Sequence, residues 1–149
     1  MRILTISALA LLTLSGCRLK DKDRDFIIYE GPSFHAAHVH PVLPERALEA
    51  KNGARLEVEK RLAQAPSDSG RKAFRSVLDH WDYYVCQVIG LRKDGRDVIL
   101  LRFFPREMQQ EQDLTTSETQ ISDGGPNYWT IEYDIEARTY SSLSVNGEG

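Results

Sequence analysis

The chain has 149 residues, of which 41% are apolar and 28% charged, with a formal net charge of −3. That length suits one domain with a single core. The mild acidity, with no basic stripe interleaved with aromatics and no glycine-rich phosphate loop, excludes the usual signatures of a nucleic-acid or nucleotide binder.

The first stretch is Met1-Arg2, an apolar run from Ile3 to Leu14 interrupted only by Thr5, Ser7 and Thr13, and then Ser15-Gly16-Cys17. A positive start, a short apolar centre and small residues before a boundary make a secretion signal, and a dozen residues is short for crossing about 30 Å of hydrocarbon. Leu14-Ser15-Gly16-Cys17 resembles the lipobox of bacterial lipoproteins. The resemblance implies cleavage before Cys17, diacylation of its thiol with fatty chains such as palmitate, and usually acylation of the new amine. Acyl chains contribute about 0.8 kcal/mol per buried methylene, so two or more anchor a protein firmly. Residues 1–16 are thus expected to be a signal peptide, and the lipid bilayer to be a partner through acylated Cys17. Arg18 stands where an Asp favours inner-membrane retention in enteric lipoproteins, which implies the outer membrane, facing the periplasm. Removal of residues 1–16 leaves 133 residues, and the loss of Arg2 moves the net charge from −3 to −4.

Residues 17–25 are read as the lipidated Cys followed by a tether, Arg-Leu-Lys-Asp-Lys-Asp-Arg-Asp, too charged to fold alone. Residues 26–149 form the domain. Phe26-Ile27-Ile28-Tyr29 is expected to be a short strand ended by Gly31-Pro32. The next stretch holds three of the four histidines, His35, His38 and His40. His38 and His40 share a face of an extended segment and His35 joins them if it curves, a nitrogen-rich set for zinc or copper. The spacing is not that of a helical His-x-x-x-His site, and no acidic or Cys ligand is close in sequence, so the competing reading is a polar loop between prolines.

From Glu45 to Ala65, Ala50, Ala54, Val58 and Leu62 recur every four residues and trace the apolar stripe of a helix, with Pro44 suited to its first turn and Pro66 to its end. Asn52-Gly53 is its weak point, where the helix is exposed to an early break. Phe74, Val77, Leu78 and Trp81 predict a second amphipathic helix from about Arg71 to His80, after a linker that contains Ser67.

The centre of the chain is Tyr83 to Pro105, two apolar runs flanking Asp94-Gly95, the signature of a hairpin with a type I′ turn. Counting back from Lys93 opposite Arg96 places Leu91 against Val98, Ile89 against Leu100, Val88 against Leu101, Cys86 against Phe103 and Val85 against Phe104. Both faces are mostly apolar, so the hairpin is expected at the middle of its sheet with cover on each side. Cys86 has no partner once Cys17 is acylated and is expected to be buried. Arg106 to Asp123 reads as a long polar surface loop. Trp129, Ile131 and Tyr133 then alternate with polar residues, and the chain returns through Tyr140 to Asn146 with Leu143 and Val145 inward, a second hairpin.

The expected class is therefore α+β, an N-terminal helical segment packed on a four- to five-stranded antiparallel sheet made of two hairpins. The order of elements resembles the cystatin-like arrangement. Val85-Cys86-Gln87-Val88-Ile89-Gly90, Asp94-Gly95, Asp123-Gly124-Gly125, Tyr128-Trp129, Tyr133-Asp134 and Asn146-Gly147-Glu148 resemble a group of bacterial lipoproteins that carries no assigned activity. The inhibitory loop of cystatins resembles Gln-x-Val-x-Gly, and Gln87-Val88-Ile89-Gly90 departs from that spacing inside a strand. No Gly-x-Ser-x-Gly elbow or His-Glu-x-x-His helix is present, and the carboxylate pairs Asp79 with Asp82 and Glu132 with Asp134 are ordinary surface charge. The reading is a non-enzymatic, anchored envelope module without a cofactor that binds an envelope protein partner or a small envelope component through its sheet or the Arg106 to Asp123 loop. The alternatives are an inhibitor or immunity-type lipoprotein that neutralises a periplasmic enzyme or toxin, and a metal binder using His35, His38 and His40.

Overall fold

The computed structural model describes residues 25–118 and 127–145. The leader, Cys17, residues 18–24 of the tether, Asp123-Gly124-Gly125 and Asn146-Gly147-Glu148 lie outside the described residues.

Among the described residues the chain runs through β1 (Phe26–Ile28), β2 (Ser33–Phe34), β3 (Ala37–His40), α1 (Pro44–Gln64), α2 (Asp68–Asp79), a 3-10 turn at Trp81–Tyr83, β4 (Tyr84–Lys93), β5 (Arg96–Pro105), α3 (Met108–Glu111), β6 (Trp129–Asp134) and β7 (Thr139–Val145). The fold is α+β, with helices packed on a largely antiparallel sheet of order β2-β3-β4-β5-β6-β7. β1 lies parallel to β4, on the edge that β3 also uses further along.

β4 and β5 form the predicted hairpin in the predicted register, from Lys93 opposite Arg96 to Val85 opposite Phe104. Asp94 at φ 50° and Gly95 at φ 79° supply the left-handed pair that a type I′ turn needs. One face carries Cys86, Val88, Ile99, Leu101 and Phe103 into the main core, where Ala47, Ala50, Ala54 and Val58 of α1 and Val77 of α2 close over them. The other face carries Val85, Ile89 and Phe104 beneath Tyr29, Phe34 and Leu114. Burial on both surfaces explains why the hairpin does not alternate apolar with polar residues.

Among the described residues the sheet has seven strands where four to five are expected from sequence, and the difference comes from the histidine segment. It forms a tight hairpin, β2 with β3, instead of a loop. Its turn residues His35 and Ala36 sit at φ 46° and 63°, a conformation that costs a residue with a Cβ about 1 kcal/mol and is seldom signalled without Gly or Asn. α1 is likewise unbroken at Asn52-Gly53. A Cβ at Gly53 would fall 2.2 Å from the Tyr140 hydroxyl, which donates to the Ala50 carbonyl at 2.7 Å. The glycine therefore admits a cross-link from β7 to the helix instead of ending it. α2 begins at Asp68, where the Ser67 hydroxyl accepts from Gly70 N–H.

Residues 106–118 are more ordered than a surface loop. After α3, the Asp113 carboxylate accepts from Thr115 N–H and from the Thr115 and Thr116 hydroxyls, and the resulting turn drives Leu114 into the core beside Val85 and Phe104. Among the described residues no helix is long and apolar enough to cross a membrane.

Candidate functional site: a groove along the open edge of β1

A groove of about 760 Å³ runs beside β1. Its floor is β1 with Tyr29 and Glu30, one wall is Val39 to Val42 with Pro44, and the other is the turn of residues 112–115 with Gln109. The polarity of β1 decides what the floor offers. Cys86 N–H donates to Asp25 O at 3.1 Å and Tyr29 N–H donates to Val88 O at 2.8 Å, so residues 25, 27 and 29 aim their peptide groups at β4. Strand alternation turns the N–H and C=O of Phe26 and Ile28 the other way, into the groove. Glu30 continues that outward set, and its N–H is taken by Thr115 O at 2.8 Å. Among the described residues β1 pairs with no strand on this side.

The walls are held by buried polar contacts. Gln87 and Arg102, opposite each other on β4 and β5, are 0% and 3% exposed. The Arg102 guanidinium donates to Gln87 Oε1 at 2.9 Å and to the Tyr128 hydroxyl at 3.1 Å, and lies 4.9 Å from the rings of both Phe34 and Phe104. The Gln87 amide donates onward to the carbonyls of Leu114 at 2.7 Å and Ser117 at 3.0 Å, which fixes the 112–117 wall to the sheet. At the base, Lys51 of α1, with a side chain 7% exposed, pairs with Asp25 just before β1. Burial draws the Lys51 ammonium below the usual lysine range. Burial pushes the Cys86 thiol up, so it stays protonated and inert in the core.

The three histidines do not converge. His35 is exposed in the β2–β3 turn with Nδ1 3.7 Å from Glu118. His38 is exposed on β3. His40 lies at the groove wall with Nδ1 3.1 Å from Pro41 O, and its Nε2 has no hydrogen-bond partner among the described residues. Its ring and carbonyl press on Gly90, where a Cβ would meet His40 O at 2.4 Å. Among the described residues no group of three or more His, Cys, Asp and Glu side chains is placed to hold a metal. The carboxylate pairs are divided between structural contacts. Asp79 and Asp82 are exposed near the end of α2, Glu132 takes Lys93, and Asp134 takes Arg96 while accepting from the N–H groups of Glu136 and Ala137.

The Gln87 and Arg102 pair and the open edge of β1 are the features that sequence reasoning missed. The pair had a signal, two polar residues opposed in the middle of an otherwise apolar hairpin; the edge had none, because a parallel partner for β1 is a long-range choice. Compared with protein-family models, curated proteins and solved structures, the chain gives no significant match.

Proposed function

We propose that the chain is a lipid-anchored bacterial envelope lipoprotein whose folded part binds another protein without catalysing a reaction. The lipobox-like Leu14-Ser15-Gly16-Cys17 supports the anchor. The observation that carries the binding role is the groove of about 760 Å³ whose floor is a strand edge that no strand among the described residues pairs. Such an edge is a ready template for another chain, and proteins that do not use one normally cover or charge it. The finer cystatin-like description is supported by a long helix lying across an antiparallel sheet, but a cystatin-type inhibitory loop is not: Gln87 to Gly90 lies inside β4, and the turn at that end is Asp94-Gly95 alone. Neutralisation of a periplasmic enzyme or toxin is one form this binding role takes when the partner is itself an enzyme.

The test is fractionation and crosslinking in the native host. The wild-type chain is expected with the membranes and crosslinked to an envelope protein, and Cys17→Ser is expected to leave the membrane fraction. A chain that crosslinks to no protein in the envelope contradicts the binding role.

A further inference from the structure

Resting on the binding role just proposed, the geometry points to a specific mode: the outward edge of β1 accepts an extended, cationic segment of a partner protein as an added strand. Backbone groups one residue apart in the outward set, at Phe26 and Ile28, repeat at about 6.8 Å, the period at which a neighbouring strand supplies its own N–H and C=O groups. The rung from Glu30 N–H to Thr115 O shows that this side of the strand is in hydrogen-bonding geometry, and that the 112–115 turn has already taken the position at its end. Side chains of an added strand alternate between the wall at Val39 to Val42, which is largely apolar, and the polar wall at residues 112–115, where Asp113 lies.

Charge selects the occupant. Among the described residues, those lining the groove include Glu30 and Asp113 and neither Lys nor Arg. Hydrogen bonds from Thr115 and Thr116 hold the Asp113 carboxyl below the usual carboxylate range, so it remains negative across the pH range of growth. A second copy of the chain meeting edge to edge brings Glu30 and Asp113 of both copies to one seam, which like-charge repulsion disfavours. A segment alternating apolar residues with Lys or Arg satisfies the backbone, the walls and the charge together.

The experiment uses the full chain in detergent with a fluorescent ten-residue peptide of alternating Val and Lys, acetylated and amidated. Two further peptides carry N-methyl groups on the even or on the odd residues, and a fourth replaces Lys by Glu. Anisotropy is expected to show binding by the parent peptide, at least tenfold weaker binding for one N-methyl phase only, at least tenfold weaker binding for the Glu peptide, and at least fivefold weaker binding of the parent to Glu30→Lys. Amide exchange at Phe26 and Ile28 is expected to slow at least tenfold in the complex. Equal binding of both N-methyl peptides, or protection elsewhere than at Phe26 and Ile28, overturns the inference. A host protein whose crosslinks avoid β1 also overturns it while leaving the binding role intact, whereas neither peptide binding nor any crosslinked partner removes both.

Discussion

At the scale of single residues, Arg102 shows how a charge is kept inside a sheet. Among the described contacts its guanidinium donates to Gln87 and to the Tyr128 hydroxyl and lies against the rings of Phe34, Phe104 and Tyr128, and Gln87 passes the hydrogen bonding on to the 112–117 turn. Removing one member strands the other in a dry site. Arg102→Ala is expected to lower unfolding free energy by about 3 kcal/mol, measured in urea, whereas Arg102→Met combined with Gln87→Leu is expected to recover part of that loss. Gly53 tests the opposite kind of contact. Helix propensity alone favours Gly53→Ala by about 1 kcal/mol, but the new methyl meets the Tyr140 hydroxyl. The variant is expected to be destabilised by about 1–3 kcal/mol, and Tyr140→Phe in that background is expected to restore most of it; a stabilised Gly53→Ala would show that β7 does not hold Tyr140 against α1.

At the scale of elements, the central hairpin was fully legible because its information is local. Asp94-Gly95 admits one turn, the turn fixes one register, and the register places Cys86 and Val88 together on the face that α1 covers. The helices were legible for a similar reason, their apolar residues recurring within four positions. What was not legible depends on distant chain. β1 chooses a parallel neighbour some sixty residues away, and the β2–β3 turn uses left-handed His35 and Ala36 in place of the Gly or Asn that would signal it. The 106–118 segment misleads by composition: it is polar throughout except for Met108 and Leu114, yet Leu114 is 2% exposed and anchors it. Leu114→Ala is expected to cost about 2–3 kcal/mol and to speed amide exchange at residues 113–117 while β6 and β7 are unaffected.

At the scale of the whole molecule, the balance of titrating groups sets an alkaline limit. Burial, with the charge of Tyr83, raises the Tyr84 hydroxyl to about 12, and burial raises Tyr140 further, with smaller upward shifts at Tyr29 and Tyr133 where nearby carboxylates add to burial. A raised folded value means that the unfolded chain loses its proton first, so this stability is complete below pH 10 and disappears between about pH 10 and 12 for Tyr84. Lys51 acts in the opposite sense, because its lowered folded value lets stability rise as pH approaches the usual lysine range. Five raised tyrosines (Tyr83 through its bond to Glu107) and the raised Cys86 thiol, against one lysine, give a net decline that begins in the ordinary thiol range and steepens above pH 10, which denaturation at stepped pH measures; Tyr84→Phe is expected to make that decline shallower.

The same scale joins the fold to its place in the cell. Ion pairing of Asp25 with the buried Lys51 ties the chain to α1 just before β1, where the proposed tether would enter the domain. On the proposed function, this entry point leads back to a lipid on Cys17. Mass spectrometry of the chain recovered from its native membrane is expected to show an amino-terminal peptide that begins at Cys17 and carries the mass of two or three acyl chains. A peptide that runs unbroken from Gly16 into Cys17, with the thiol unmodified, would contradict that anchor.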